Sequence, residues 1–148
     1  MKIVHLFGFI VLVLVLNACK KEIIIETDNQ PPVDVEMNRI TAAPWIVYKV
    51  TLGGTDIWNL GLIPSCQKDD TYKFRRDSSL TQYENAEICS GGTDSTVSNW
   101  SFYDGRKKLI GSVLGINDTA TILDLQDASM NLLVDYNGNP VTVYFKKN

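Results

Sequence analysis

Histidine is almost missing from this 148-residue sequence, in which His5 is its single occurrence. His5 lies in an N-terminal stretch that we expect to be cleaved, and the mature chain would then contain no histidine. Such a chain cannot form a Ser-His-Asp triad, a Cys-His pair or a histidine-ligated metal site. We therefore expect a protein that is not an enzyme and that has no metal site and no cofactor.

An excess of charge of one sign is missing as well. The sequence has 14 Lys and Arg residues against 17 Asp and Glu residues, a formal net charge of −3 at pH 7. Nucleic-acid-binding proteins carry clustered positive charge, which this chain lacks. We expect no nucleic-acid partner. The chain length and the 45% hydrophobic content are typical of one globular domain.

Long hydrophobic runs are also missing. The most apolar stretch covers residues 3–16 and contains His5 and Gly8, whereas a membrane-spanning helix needs about 20 apolar residues. A short run that follows Lys2 and ends in small residues is typical of an export signal. An ordinary secretory signal with a stray cysteine, or a retained membrane helix, is the alternative.

The residues at the predicted cleavage point, Leu16-Asn17-Ala18-Cys19, resemble the lipobox of bacterial lipoproteins. The resemblance implies that residues 1–18 are a cleaved lipoprotein signal peptide and that the Cys19 sulfur carries a lipid such as palmitate. Acyl chains would then anchor the protein to a membrane. No aspartate follows Cys19, which by the rules of that family favours the outer membrane, on its periplasmic side or at the cell surface.

Residues 19–43 show no clear hydrophobic period and include Pro31-Pro32, which suits neither a helix interior nor a central strand. We predict a flexible, lipid-anchored tether over 19–43. Within it, residues 36–41 could form one helical turn that packs against the domain. The domain itself is predicted over 44–148.

From Trp45 onward, apolar and polar residues alternate, with turn residues about every 8–12 positions. Hairpin signals stand at Asp104-Gly105 and Asn137-Gly138. No segment has the helical period that a parallel crossover requires. The sequence therefore predicts an all-β fold, an eight-stranded antiparallel up-and-down barrel, with a two-sheet sandwich as the alternative. The predicted strands cover residues 45–52, 70–76, 80–89, 96–103, 107–114, 119–125, 128–136 and 141–146.

Two cysteines, Cys66 and Cys89, remain once Cys19 is lipidated. An exported protein lies in an oxidising compartment, where two such cysteines usually pair. A redox-active pair is the alternative, but it normally has Cys-x-x-Cys spacing at a helix start. We predict a structural disulfide between Cys66 and Cys89.

Several residues of the body resemble the lipocalin-like domain found in bacterial lipoproteins. The resemblance covers residues 40–148 and implies a small meander barrel of the lipocalin type behind a lipoprotein signal. The residues that carry it are Trp45, the motif Cys66-x-x-Asp69-Asp70-x-Tyr72-x-Phe74, Cys89, Trp100, Ile122-x-x-Leu125 and Met130-x-Leu132.

Large aromatic side chains on the predicted inward faces would either line a ligand cavity or fill the barrel, since eight-stranded barrels lie at that boundary. We expect a non-catalytic module that binds a small apolar molecule or a glycan. The alternative is an envelope protein–protein interaction module or a structural module with a filled barrel. The candidate ligand-lining residues are Trp45, Tyr72, Phe74, Trp100, Phe102 and Tyr136.

Overall fold

The computed structural model describes residues 34–148, which form one helix and ten strands. A short 3-10 turn, Ser65–Gln67, precedes the third strand. No helix in the described range is long and apolar enough to cross a membrane. In chain order the elements are α1 (Val35–Thr41), β1 (Trp45–Leu52), β2 (Thr55–Asp56), β3 (Thr71–Phe74), β4 (Ser79–Tyr83), β5 (Ser95–Asn99), β6 (Ser101–Tyr103), β7 (Lys108–Val113), β8 (Ile116–Leu125), β9 (Ser129–Tyr136) and β10 (Asn139–Lys147).

The strands form one antiparallel sheet that curls into a nearly closed barrel. Nine of them pair in the order β5-β4-β3-β1-β10-β9-β8-β7-β6, and β2 pairs only with β1. The prediction of an all-β barrel is therefore confirmed over the sandwich. Both predicted hairpin turns form, and Asn137 and Gly138 have the positive φ angles of 53° and 80° that such tight turns require.

Ten strands form instead of the eight predicted, because β2 was not predicted and because the strand expected over 96–103 is broken at Trp100 into β5 and β6. The first half pairs with β4 and the second half with β7, so the chain changes partner at this residue. The Trp100 backbone N–H donates to the Ser78 carbonyl at 2.9 Å, and its indole Nε1 donates to the Arg75 carbonyl at 2.9 Å. Trp100 thus joins the two ends of the sheet.

Alternating side chains fill the barrel interior. On β9, Met130, Leu132 and Val134 are all buried, as expected for a strand with one inward face. Three aromatic rings stack edge to face across the gap between β5 and β6. Phe74 and Trp100 have centroids 5.2 Å apart, and Trp100 and Phe102 have centroids 5.4 Å apart. Edge-to-face pairs of this kind add about 0.5–1.5 kcal/mol beyond burial.

Helix α1 packs across the end of the barrel at which β3, β6 and β8 end. The side chain of Asp34 caps it by accepting from the Met37 backbone N–H at 2.9 Å. Ile40 is fully buried, and its carbonyl accepts the Trp45 indole N–H at 2.8 Å. Arg106, in the β6–β7 turn, pairs with Asp34, which adds a contact between the helix and the barrel.

The flexible tether predicted over 19–43 therefore needs correction at its C-terminal end. Residues 34–43 are part of the ordered body, because burial of Ile40 in the core holds α1 in place. The helical turn expected over 36–41 forms within this segment. The predicted signal peptide, Cys19 and residues 19–33 lie outside the described residues.

Candidate binding site at the barrel mouth

The end of the barrel opposite α1, here called the mouth, is where β1, β4, β7 and β9 end. Two long loops, 57–70 and 84–94, and the β7–β8 and β9–β10 turns surround it. The strand predicted over 80–89 stops at Tyr83, because the chain from Glu84 onward leaves the sheet to form the second of these loops.

The predicted pairing of Cys66 with Cys89 is confirmed and ties the two mouth loops together. Their sulfurs lie 1.94 Å apart and their Cα atoms 5.2 Å apart. In the second loop, Glu84 Oε2 accepts the Cys89 backbone N–H at 2.6 Å. A side chain at Gly92 would place its Cβ 2.9 Å from the Cys89 backbone carbonyl oxygen, which cannot move aside as a side chain could, so the loop closes tightly only with glycine at this position.

Asp69 holds the second loop against the first. Its Oδ2 accepts the backbone N–H groups of Ala86 at 2.7 Å and Glu87 at 3.2 Å. A backbone-bonded carboxylate of this kind is a structural group, and its partners differ from those of the neighbouring Asp70. The adjacent carboxylates therefore do not act as a pair that shares one proton.

Asp70 is the most unusual polar group near the mouth, because it is only 1% exposed. Its Oδ2 accepts the Gln82 side-chain N–H at 2.7 Å, whereas its Oδ1 has no hydrogen-bond partner. Burial raises the pKa of Asp70 to about 6, against the opposing effect of the Gln82 hydrogen bond and with help from the nearby charges of Glu84 and Asp69.

Tyr72 links β3 to the rim of the mouth. Its ring is fully buried and packs edge to face against Phe145, with centroids 6.0 Å apart. Its hydroxyl accepts the Leu114 backbone N–H at 3.3 Å. Burial raises the pKa of the Tyr72 phenol well above its ordinary value, so Tyr72 stays neutral and serves to position the β7–β8 turn.

An apolar pocket of about 310 Å³ opens at the mouth. The loop from Ile57 to Gln67 forms one wall, and residues of β1, β8, β9, β10 and the β7–β8 turn form the others. Its rim is exposed, since Leu62 is 63% and Tyr136 53% accessible. The lining residues are Val50, Leu52, Ile57, Leu62, Ile63, Pro64, Gln67, Leu114, Ile116, Tyr136 and Val141.

Most of the residues predicted to line a ligand cavity lie elsewhere. Trp45, Tyr72, Phe74 and Trp100 are at most 3% exposed and form part of the core, because the narrow barrel places inward aromatics against one another. Phe102 is half-buried and packs on Trp100. Of the predicted residues, Tyr136 is the one that lines the pocket.

Sequence reasoning missed the wall formed by residues 57–67. This segment has no period-two pattern, and we predicted no strand there. A detectable signal was present nonetheless, because Ile57, Leu60, Leu62 and Ile63 are apolar residues in an irregular segment between two strands. Apolar residues concentrated in a loop that also contains glycine and proline indicate a surface that contacts a ligand or another part of a protein.

The site offers apolar contact and little reactive chemistry. Among residues 34–148, no three His, Cys, Asp or Glu side chains come together to hold a metal ion. Gln67 is the polar side chain on a lining that is otherwise apolar except for the Tyr136 hydroxyl. Comparison with known proteins adds no identification, since no family model matches this chain and none of the curated proteins is significantly similar to it.

Proposed function

We propose that the protein is a lipid-anchored envelope lipoprotein whose lipocalin-like barrel binds a small apolar molecule at its mouth, without catalysis. The observation that carries this proposal is the pocket of about 310 Å³ with its apolar lining. Pockets for small ligands start at about 300 Å³ and are mostly apolar with a few polar groups. The filled interior of the barrel favours binding at the mouth over binding at its centre.

The anchor in this proposal is the lipid on Cys19, the last residue of the lipobox-like sequence 16–19. Each buried methylene of an acyl chain contributes about 0.8 kcal/mol, so several chains give stable attachment. The proposed location is the outer membrane, on its periplasmic side or at the cell surface. Within the described domain, the chain enters through α1, at the end opposite the mouth.

A neutral apolar fluorophore, N-phenyl-1-naphthylamine, tests the pocket in the purified full chain. We expect its emission to increase on binding and expect Leu62→Gln to weaken the affinity about tenfold, because burial of a leucine side chain is worth about 1.5 kcal/mol or more. Leu123→Gln is the matched control, since Leu123 is 54% exposed on the outer side of β8, away from the pocket. No binding, or equal weakening in both variants, would reject the proposal.

The second candidate is a protein-interaction function of the mouth. Leu60 and Leu62, both 63% exposed and separated by Gly61, lie in the loop that forms a wall of the pocket, and exposed apolar patches are typical of protein contacts. A photo-crosslinking amino acid at position 60 of the full chain would capture one defined envelope protein if this is the function. The same residue at position 123 would not capture it.

A further inference from the structure

A second surface lies on the outer wall of the barrel, away from the mouth. It consists of Tyr48 and Lys49 on β1 and of Tyr144 and Lys146 on β10, here called the Tyr-Lys face. The two tyrosine rings meet edge to face with centroids 6.3 Å apart. Tyr48 is 44% exposed, so part of this aromatic surface contacts water.

A β-bulge creates the Tyr-Lys face. Val47 pairs with Phe145 and Lys49 pairs with Tyr144, which leaves Tyr48 as an extra residue between them. Because Val47 and Val50 both point into the core, the bulge turns two consecutive side chains, Tyr48 and Lys49, toward solvent. A bulge of this kind re-aims a side chain and is commonly found next to functional sites.

The lysines are arranged reciprocally over the rings. Lys49 Nζ lies 5.2 Å from the centroid of Tyr144, and Lys146 Nζ lies 6.0 Å from the centroid of Tyr48. Across residues 34–148, the ion pairs are formed by Arg39 and Arg106, so neither lysine of this face is neutralised by a carboxylate. A protein with a net charge of −3 thus places two ammonium groups, neither with a carboxylate partner among residues 34–148, beside Tyr48 and Tyr144.

We propose that the Tyr-Lys face binds an acidic polysaccharide, whose uronic-acid carboxylates are held by Lys49 and Lys146 and whose sugar C–H groups pack against the exposed part of Tyr48. A neutral sugar would make no use of the ammonium groups, and a small inorganic anion would make no use of the rings. A uronic-acid chain uses both, since each unit has a flat C–H face and a carboxylate. An acidic peptide offers carboxylates on flexible side chains but no rigid face for stacking.

The test uses the full chain and titration calorimetry at low salt with three polymers: polygalacturonate, neutral dextran and polyglutamate. We expect binding of polygalacturonate only. The double variant Lys49→Gln/Lys146→Gln should weaken it at least tenfold, because a hydrogen bond to a charged group is worth about one decade or more in affinity. Tyr48→Ala should weaken it about tenfold as well, measured well below the unfolding temperature because this variant also loses the ring contact with Tyr144.

Matched controls separate the site from general charge. Lys107→Gln/Lys108→Gln removes the same two charges near the β6–β7 turn, and Tyr103→Ala removes a ring that is 57% exposed on β6. Both should change the affinity less than about twofold. Absence of polygalacturonate binding, equal binding of polyglutamate or dextran, or equal weakening in the controls would each overturn the proposal. Leu62→Gln should leave this binding unchanged, which keeps it separate from the pocket.

Discussion

At the scale of single residues, Asp70 combines deep burial with an unsatisfied oxygen. The folded state is more stable when such a group is neutral than when it is charged, because a buried carboxylate has lost its hydration. Its pKa is raised in the folded state to about 6 from an ordinary 3.8. The protonated group therefore contributes stability that is fully present below about pH 4 and is lost as the pH rises through 6.

Asp70→Asn should therefore stabilise the protein at pH 8 by an amount on the order of 2–3 kcal/mol, since asparagine keeps the acceptor for Gln82 and carries no charge. At pH 4.5 the gain should shrink to less than about 1 kcal/mol. Chemical unfolding followed by tryptophan fluorescence at both pH values measures the difference.

The control for this prediction is Asp94→Asn, at an exposed aspartate in the second mouth loop. It should change the unfolding free energy by less than about 0.5 kcal/mol at either pH. A gain from Asp70→Asn that is equal at pH 4.5 and pH 8 would show that charge burial is not the cause.

Trp45 acts at the same scale by joining the barrel to α1. Trp45→Phe removes the indole N–H that bonds the Ile40 carbonyl and leaves a smaller ring in the core. We expect a loss of about 2–3 kcal/mol in unfolding free energy. Amide hydrogen exchange should also accelerate in α1 more than in β9. Trp58→Phe, at a half-buried ring, should leave exchange in α1 unchanged.

At the scale of elements, the two mouth loops depend on each other. Cys66 and Cys89 are 23 positions apart in sequence, and closing a loop of this size stabilises a fold by about 3–4 kcal/mol in the chain-entropy account. Cys66→Ser/Cys89→Ser should lower the unfolding free energy by this amount and weaken binding of the fluorophore to the pocket at the mouth. Reduction of the wild-type protein should reproduce both effects, and a variant with unchanged stability would contradict the expectation.

The strand pairs show a second feature of this scale. The barrel closes at Trp100, between the two edge strands of the sheet. There β5 pairs with β4 and β6 pairs with β7, but β5 and β6 do not pair with each other. Closure there rests on the stacked rings of Phe74, Trp100 and Phe102 rather than on a continuous ladder. The edges of β5 and β6 can therefore stay covered without strand-to-strand hydrogen bonds between them, because core side chains stabilise that side of the barrel.

At the scale of the whole molecule, the barrel has three distinct regions: the end closed by α1, the mouth with its pocket, and the Tyr-Lys face on the outer wall. The proposals assign different ligand classes to the last two. They fail independently, since the pocket is tested by a neutral fluorophore and the outer face by an acidic polymer.

The proposed anchor belongs to this scale too. Cys19→Ser should abolish incorporation of labelled palmitate and move the protein from the membrane fraction to the soluble fraction, because the acyl chains supply the attachment. Cys66→Ser/Cys89→Ser should remain labelled and membrane-bound. Label retained in Cys19→Ser would reject the lipobox interpretation.

Much of the fold was predictable because strand alternation and turn chemistry are local. Met130, Leu132 and Val134 alternate inward as their spacing predicts, Asn137-Gly138 forms the turn that its residues favour, and the Cys66–Cys89 pair forms. Each of these depends on neighbouring residues or on counting cysteines. The all-β barrel class follows from repeating that local pattern along the chain.

Only the tertiary structure decided which side chains face a ligand and which fill the core. Tyr136 shares the spacing of Leu132 and Val134, yet it extends past the barrel end and lies 53% exposed. The pocket wall at 57–67, the docking of α1, the burial of Asp70 and the strand break at Trp100 likewise depend on where distant segments meet. Local periodicity determines on which face of a strand a side chain lies. How deeply that side chain is buried depends on barrel closure and on contacts between residues far apart in sequence.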